Sequence, residues 1–251
     1  MIDMLLDYWR AFSPEYRFYV IVIALFIPLT IAGVIAQIKV DSTFRKCAVF
    51  ADCGLTAAEV ARRVLDRNGL YNVQIQKISG HLTDNFNPVT NVLSLSQSVY
   101  GSRTISAIGV ACHEAGHAIQ HAKKYLFSTL RIKLVPVVNL ANRALFPLLL
   151  IGMLLGFASP YTTFGTVLIA IGAVVFGLSM LFSLVTLPTE FDASRRAQKE
   201  LRENFFSSEE AALSRKVLTA AAMTYVVSFL MSLIQFLRFV ALLLMARNRD
   251  N

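Results

Sequence analysis

Polar positions almost vanish from four stretches of the chain. Phe18 to Ile38 is uncharged throughout, with Gln37 near its end, and Phe164 to Leu187 is the next clearest. Leu134 to Phe157 carries Asn139, Asn142 and Arg143 in its first half, and Ala221 to Met245 is broken chiefly by Gln235 and Arg238. A helix that crosses a bilayer needs about 20 mostly apolar residues. The pattern therefore predicts about four transmembrane helices, although the last two stretches also read as long amphipathic elements. Asp3 and Asp7 stand where a signal peptide would have its basic start, and no A-x-A cleavage site follows, so the first segment is expected to be retained.

Between residues 39 and 133 the periodicity becomes that of water-soluble structure. Thr56-Ala57-Ala58-Glu59 is a capping box, Val60, Val64 and Leu65 form an apolar stripe behind it, and Gly69 is a C-terminal stop, so a helix of three to four turns is predicted. Tyr71 to Ile78 largely alternates and predicts a half-buried strand. Asn87-Pro88 marks a turn, and Val92 to Ser96 is a second short strand. A further helix is expected from Ser102 or Thr104 to about Lys123. The predicted fold class is a predominantly α membrane protein with an inserted α+β domain. Its segments are 1–38 with the first span, the insert 39–133, a transmembrane hairpin 134–187, a helical segment 188–216, and 217–251 with the fourth span or amphipathic helix and the tail.

Composition agrees with this class. Of 251 residues, 55% are hydrophobic and 16% charged, against about 25% charged in soluble domains, and mean hydropathy is +0.56. Soluble and disordered classes are excluded. The net charge of +8 points to cytoplasm-facing loops rather than to nucleic acid. Residues 39–133 carry twelve Lys/Arg against six Asp/Glu, 188–216 carry six Lys/Arg, and the link 158–163 carries none. Positive loops stay inside. The insert and 188–216 are thus expected in the cytoplasm, with the N-terminus and the Ser159-Pro160 turn outside; the tail Arg247-Asn248-Arg249 fits less well. Cys47, Cys53 and Cys112 match no disulfide or C-x-x-C pattern and read as reduced core residues.

The candidate chemistry lies in His113-Glu114-Ala115-Gly116-His117, an H-E-x-x-H string on the second predicted helix of the insert. Positions i and i+4 share a helix face, so both imidazoles can bind one metal ion. Glu114 lies beside His113, placed to take a proton from an activated water and pass it to a leaving amine. Zn²⁺ suits such donors and brings its bound water close to neutral pKa. Ala111, Ala115, Gly116 and Ala118 leave room around the pair. The metzincin spacing would place a third His where Lys123 stands, and His121 is one turn too far along the helix. Glu190 is the better third donor, within the first turn of a helix opened by Pro188. Two membrane crossings return it to the side of His117. Asp192 points about 200° away from Glu190. A carboxylate at Glu190 is also what a helix N-terminus favours without any metal.

Three strings carry a close resemblance: Gly80-His81-Leu82-Thr83-Asp84, His113-Glu114-Ala115-Gly116-His117, and Leu187-Pro188-Thr189-Glu190-Phe191-Asp192-Ala193-Ser194-Arg195-Arg196-Ala197. They resemble the YugP-like neutral zinc metallopeptidases of prokaryotic membranes over nearly the whole chain. The resemblance implies a zinc-dependent membrane peptidase but does not supply its substrate; one Zn²⁺ per chain in a multi-pass protein of the lipid bilayer, and a membrane-associated protein or peptide as substrate, are the accompanying expectations. More distantly, H-E-x-x-H followed by E-x-x-A is similar to the HtpX and CAAX-protease gluzincins. That similarity carries the third zinc ligand to Glu190, while Ser194 stands where those enzymes have an orienting Asp. It also implies that a strand beside the active-site helix, here Val92 to Ser96, pairs with extended substrate. His81 and Tyr225 are the candidate donors to a developing oxyanion, and Arg195 and Arg196 are placed to meet lipid phosphates.

Two other classes compete. A non-catalytic, metal-stabilised scaffold would hold zinc with four protein ligands and would have no use for Glu114. A transporter would use Arg143 and Arg238 within the spans, yet no inverted repeat is visible. An intramembrane protease is disfavoured because the apolar run before His113, Ile105 to Cys112, is too short to span.

Overall fold

The computed structural model describes residues 9–154 and 162–247. The chain divides into two units, Met1–Gly33 with Lys133–Leu184 and Val227–Asn251, and Val34–Ile132 with Val185–Val226. The Ser159-Pro160 turn, Asp3, Asp7, the end of the second apolar stretch and the tail beyond Arg247 lie outside the described residues.

The protein is mostly helical with a small sheet. Among the described residues three helices are long and apolar enough to cross a membrane: α1 (Pro14–Lys46), α5 (Thr163–Asn204) and α6 (Ser208–Arg247). The fourth predicted stretch is therefore one of them, while the second falls on α4 (Leu126–Leu154). Ile27 and Val34 of α1 expose 66% and 56% of their surface, which water would penalise and lipid would not. A separate helix opened by Pro188 is not found. The proline sits inside the 42-residue α5, where it removes a backbone donor but does not stop the helix; the next residue, Thr189, donates its hydroxyl to Val185 O at 3.0 Å.

The second unit contains α2 (Ala57–Arg67), β1 (Gln74–Ile78), β2 (Asn85–Asn87), β3 (Val92–Ser96) and α3 (Ile105–Ala122). The capping box forms as the spacing predicts: Thr56 accepts from Glu59 N–H while the Glu59 carboxylate accepts from Thr56 N–H. Thr104 caps α3 by accepting from Ala107 N–H. Gly69, at φ +74°, follows the end of α2 in a backbone conformation that favours glycine.

The strand order is β1-β3-β2, with β1 parallel and β2 antiparallel to β3. This corrects the expectation that Val92 to Ser96 receives substrate. β3 is the central strand and both its edges are taken, so an added strand has no free backbone groups to meet there. The three-residue β2 was not expected from the sequence, because N-F-N is too short to show a period.

Val64 and Leu65 of α2, Leu93 and Leu95 of β3, and Ile105 and Ile108 of α3 form one core, joined by Leu201 of α5 and Val217 of α6. Each fully buried aliphatic side chain contributes about 1.5–3 kcal/mol. Leu201, at 0% exposure, ties α5 into this core, and truncation to Ala would cost about 2–5 kcal/mol. Close approach of α3 to its neighbours depends on glycine. A Cβ on Gly116 would lie 2.7 Å from Ala193 O on α5, and one on Gly109 would lie 2.6 Å from Ser214 Oγ on α6.

Candidate metal centre

α3 carries His113 and His117 one turn apart, their ring centroids 4.8 Å from each other. The contact of Gly116 with Ala193 brings α5 onto this face. Glu190 Oε2 then lies 3.2 Å from His113 Nε2 and 3.4 Å from His117 Nε2. One ligand atom from each of the three residues lies within 4.8 Å of the other two.

Each histidine turns Nε2 toward Glu190 and gives Nδ1 to a supporting side chain. His113 Nδ1 is 3.1 Å from Ser194 Oγ, and His117 Nδ1 is 3.0 Å from Gln120 Oε1. The second contact fixes a proton. Gln120 Nε2 donates to Thr189 O at 2.8 Å and to Asp192 Oδ2 at 2.9 Å, both of which only accept. The amide oxygen must therefore face His117, so Nδ1 carries a hydrogen and Nε2 is the ring nitrogen turned to Glu190. Gln120 is fully buried. Asp192 points away from the histidines, as the 200° offset requires, and is bound by Arg195 and by Arg196 Nε at 2.6 Å. Burial opposes ionisation of Asp192, but the hydrogen bonds from Gln120, Arg196 and Arg195 outweigh it and hold the carboxyl below its ordinary range.

Glu190 is 2% exposed. Its second oxygen accepts from Arg131 at 2.8 Å, and Tyr225 lies near enough to feel the charge of the same carboxylate. Burial alone would raise the acid, yet the hydrogen bonds and charge of His113 and His117 hold it well below the usual carboxylate range. Glu114 keeps part of its surface open but is otherwise ringed by protein. Burial pushes its carboxyl up to about 7, with His113 pulling it down and Glu190 pushing it further up.

Two further histidines make contacts of their own. His81 Nε2 is 3.0 Å from Asp41 Oδ1, its ring is edge-on to Phe44, and no described hydrogen bond joins it to the Glu190 cluster. His121 is exposed, with its ring 6.1 Å from Phe86 of β2. Arg131 and Gln120 went unnoticed in the sequence. Gln120 has a signal, since it is three residues after His117 on the same helix. Arg131 has none, being 59 residues from its partner.

The donor set fits Zn²⁺. Two imidazole nitrogens and one carboxylate oxygen form a catalytic-type set, and bonds of about 2.0–2.1 Å place tetrahedral donors about 3.3 Å apart, close to the 3.2 and 3.4 Å found. His117 Nε2 facing a carboxylate oxygen is unfavourable unless a proton or cation lies between them.

Residues 22–244 match a protein-family model described as "Putative neutral zinc metallopeptidase". A Bacillus subtilis (strain 168) protein described as "Putative membrane protease YugP" is 46% identical over 232 residues, covering 90% of this chain and all of the relative. No solved structure matches the chain. With the family model spanning most of its length and a relative of this identity covered end to end, the chain belongs to the neutral zinc metallopeptidase family that includes this YugP-like membrane protein.

Proposed function

We propose that the protein is a membrane-embedded zinc metalloendopeptidase of the gluzincin type, with His113, His117 and Glu190 as the metal ligands. The observation that carries this reading is the convergence of both Nε2 atoms on Glu190 Oε2, with Glu114 on the same helical turn. A Zn²⁺ held by these donors supplies Lewis-acid polarisation of a carbonyl and of water.

The chain's own residues supply the rest. Glu114 takes a proton from the attacking water and returns it to the leaving amine, and a carboxyl whose pKa lies near neutrality is suited to both steps. Tyr225, near enough to feel the charges of Glu190 and Glu114, donates to the oxyanion that develops on the scissile carbonyl. His81 is bound to Asp41 and is left without a part. Ser194 and Gln120 hold the two imidazoles in register, and Arg131 keeps Glu190 charged and oriented. Ser194 thus takes over the orienting position where the HtpX-type enzymes have Asp.

The excess of Lys and Arg in the insert supports a cytoplasmic face for the site. Glu190 follows the apolar stretch of α5 by three residues, which favours a membrane-associated protein or peptide as substrate. The deciding measurement uses detergent-purified protein. It should hold about one zinc per chain, and Glu114→Gln should keep the zinc while cleavage of an unfolded protein substrate falls to background. Full cleavage by Glu114→Gln would refute the mechanism.

A further inference from the structure

The last turns of α5 and the first turns of α6 form a helical hairpin around an open groove of about 790 Å³ within the second unit. α5 lines it with Arg195, Lys199 and Arg202, spaced i, i+4 and i+7 so that they share one face, and α6 adds Arg215. All four are exposed, and Glu203 is the only carboxylate among the lining residues. Arg195 is shared with Asp192; among the described residues no ion pair engages Lys199, Arg202 or Arg215. The floor is apolar, with Leu218 and Ala222 buried.

The groove also has a direction. Phe191, 48% exposed, lies one turn beyond Leu187, where the apolar stretch of α5 ends, and Ala222 lies where that of α6 begins. Lys199 and Arg202 lie about 12–17 Å further along α5 than Phe191, at about 1.5 Å per residue. One end is thus apolar and adjoins the spans, and the other is cationic.

We propose that this groove binds the headgroup of an anionic phospholipid, its phosphate on Arg195, Lys199 and Arg215 and its glycerol and first methylenes against Phe191 and Leu218. Four cations against one carboxylate select a negative ligand, and guanidinium groups match phosphate oxygens in pairs. Basic pockets beside membrane helices take lipid headgroups by this chemistry. A zwitterionic lipid leaves the charge uncompensated. An acidic peptide satisfies the charge but makes no use of an apolar end that adjoins the membrane helices. Because Arg195 also holds Asp192, and Asp192 holds the Gln120 amide that orients His117, a bound phosphate draws on the same guanidinium that steadies the metal site. The proposal does not depend on peptide hydrolysis.

The test is binding of dioctanoyl phosphatidylglycerol and dioctanoyl phosphatidylcholine to the full chain in detergent, read by native mass spectrometry. Wild type should prefer the anionic lipid at least about tenfold. The triple variant Lys199→Gln/Arg202→Gln/Arg215→Gln should lose that preference, whereas Arg63→Gln/Lys77→Gln/Lys123→Gln, exposed cations outside the groove, should keep it. If the triple variant does not fold, Lys199→Gln alone should weaken the anionic lipid several-fold. An unchanged preference in the groove variants, or an equal loss in the control, overturns the assignment. Displacement of the lipid by an equal concentration of inorganic phosphate would make the groove a free-phosphate site and also overturn it. So would a glutamate-rich peptide that binds in a groove-dependent way while the lipid does not.

Discussion

Gln120 Oε1 accepts from His117 Nδ1 across 3.0 Å, and the two acceptors on Gln120 Nε2 leave the amide no other orientation. The proton on a candidate ligand is thus set by a neutral side chain buried between α3 and α5. That amide also links the metal site to Asp192 and, through it, to Arg195 and Arg196.

Gln120→Leu removes this constraint while keeping an apolar volume of similar length. Zinc affinity should fall about 10–100-fold, the usual cost of losing an orienting partner, and competition with a chelating dye measures it. Unchanged affinity would mean that His117 is held by packing alone. Ser194→Ala should act through His113 in the same direction.

Gly116→Ala tests whether helix approach builds the site. The added Cβ would meet Ala193 O at 2.7 Å, a backbone atom that cannot rotate away. α5 must shift, carrying Glu190 with it. Overpacking of this kind costs about 1–3 kcal/mol. The variant should melt lower than wild type in EDTA and also show a smaller rise in Tm on adding zinc. A lower Tm with an undiminished zinc effect would separate packing from the site.

The raised pKa of Glu114 gives a pH signature in metal-free protein. The buried carboxyl shifts from 4.5 to about 7, so the folded state prefers the protonated form. Its contribution to stability is whole below about pH 4.5 and is lost as pH rises through about 7. Glu114→Gln mimics the protonated form at every pH. In EDTA the variant should match wild type near pH 4.5 and exceed it above pH 7, by up to about 3 kcal/mol for a shift of this size. Thermal melts at pH 5 and pH 8 measure the difference. A variant no more stable than wild type at pH 8 would show that Glu114 ionises without cost.

Some of this protein is written in short windows of sequence. Thr56 and Glu59 form their reciprocal cap because three residues of helix bring those groups together whatever surrounds them. Val92 to Ser96 is a strand at the expected residues. His113 and His117 share a face because a helix has 3.6 residues per turn. The apolar stretches of α1, α5 and α6 are likewise legible, since about 20 residues without charge have few other uses.

Other features depend on which surfaces meet. β3 looked like a free strand until β1 and β2 closed both its edges, and β2 is too short to carry a period. Pro188 signals a helix start, yet α5 runs through it unbroken, with the Thr189 hydroxyl bonded back to Val185 O. Sequence spacing made Glu190 a candidate, but the missing Cβ of Gly116 lets Ala193 approach and so sets the 3.2 Å separation from His113. Arg131 reaches the same carboxylate from another helix with no local cue. Chain geometry acts over a turn or two and fixes what lies within it; convergence over tens of residues follows from side-chain volumes at helix contacts, which only the folded structure decides.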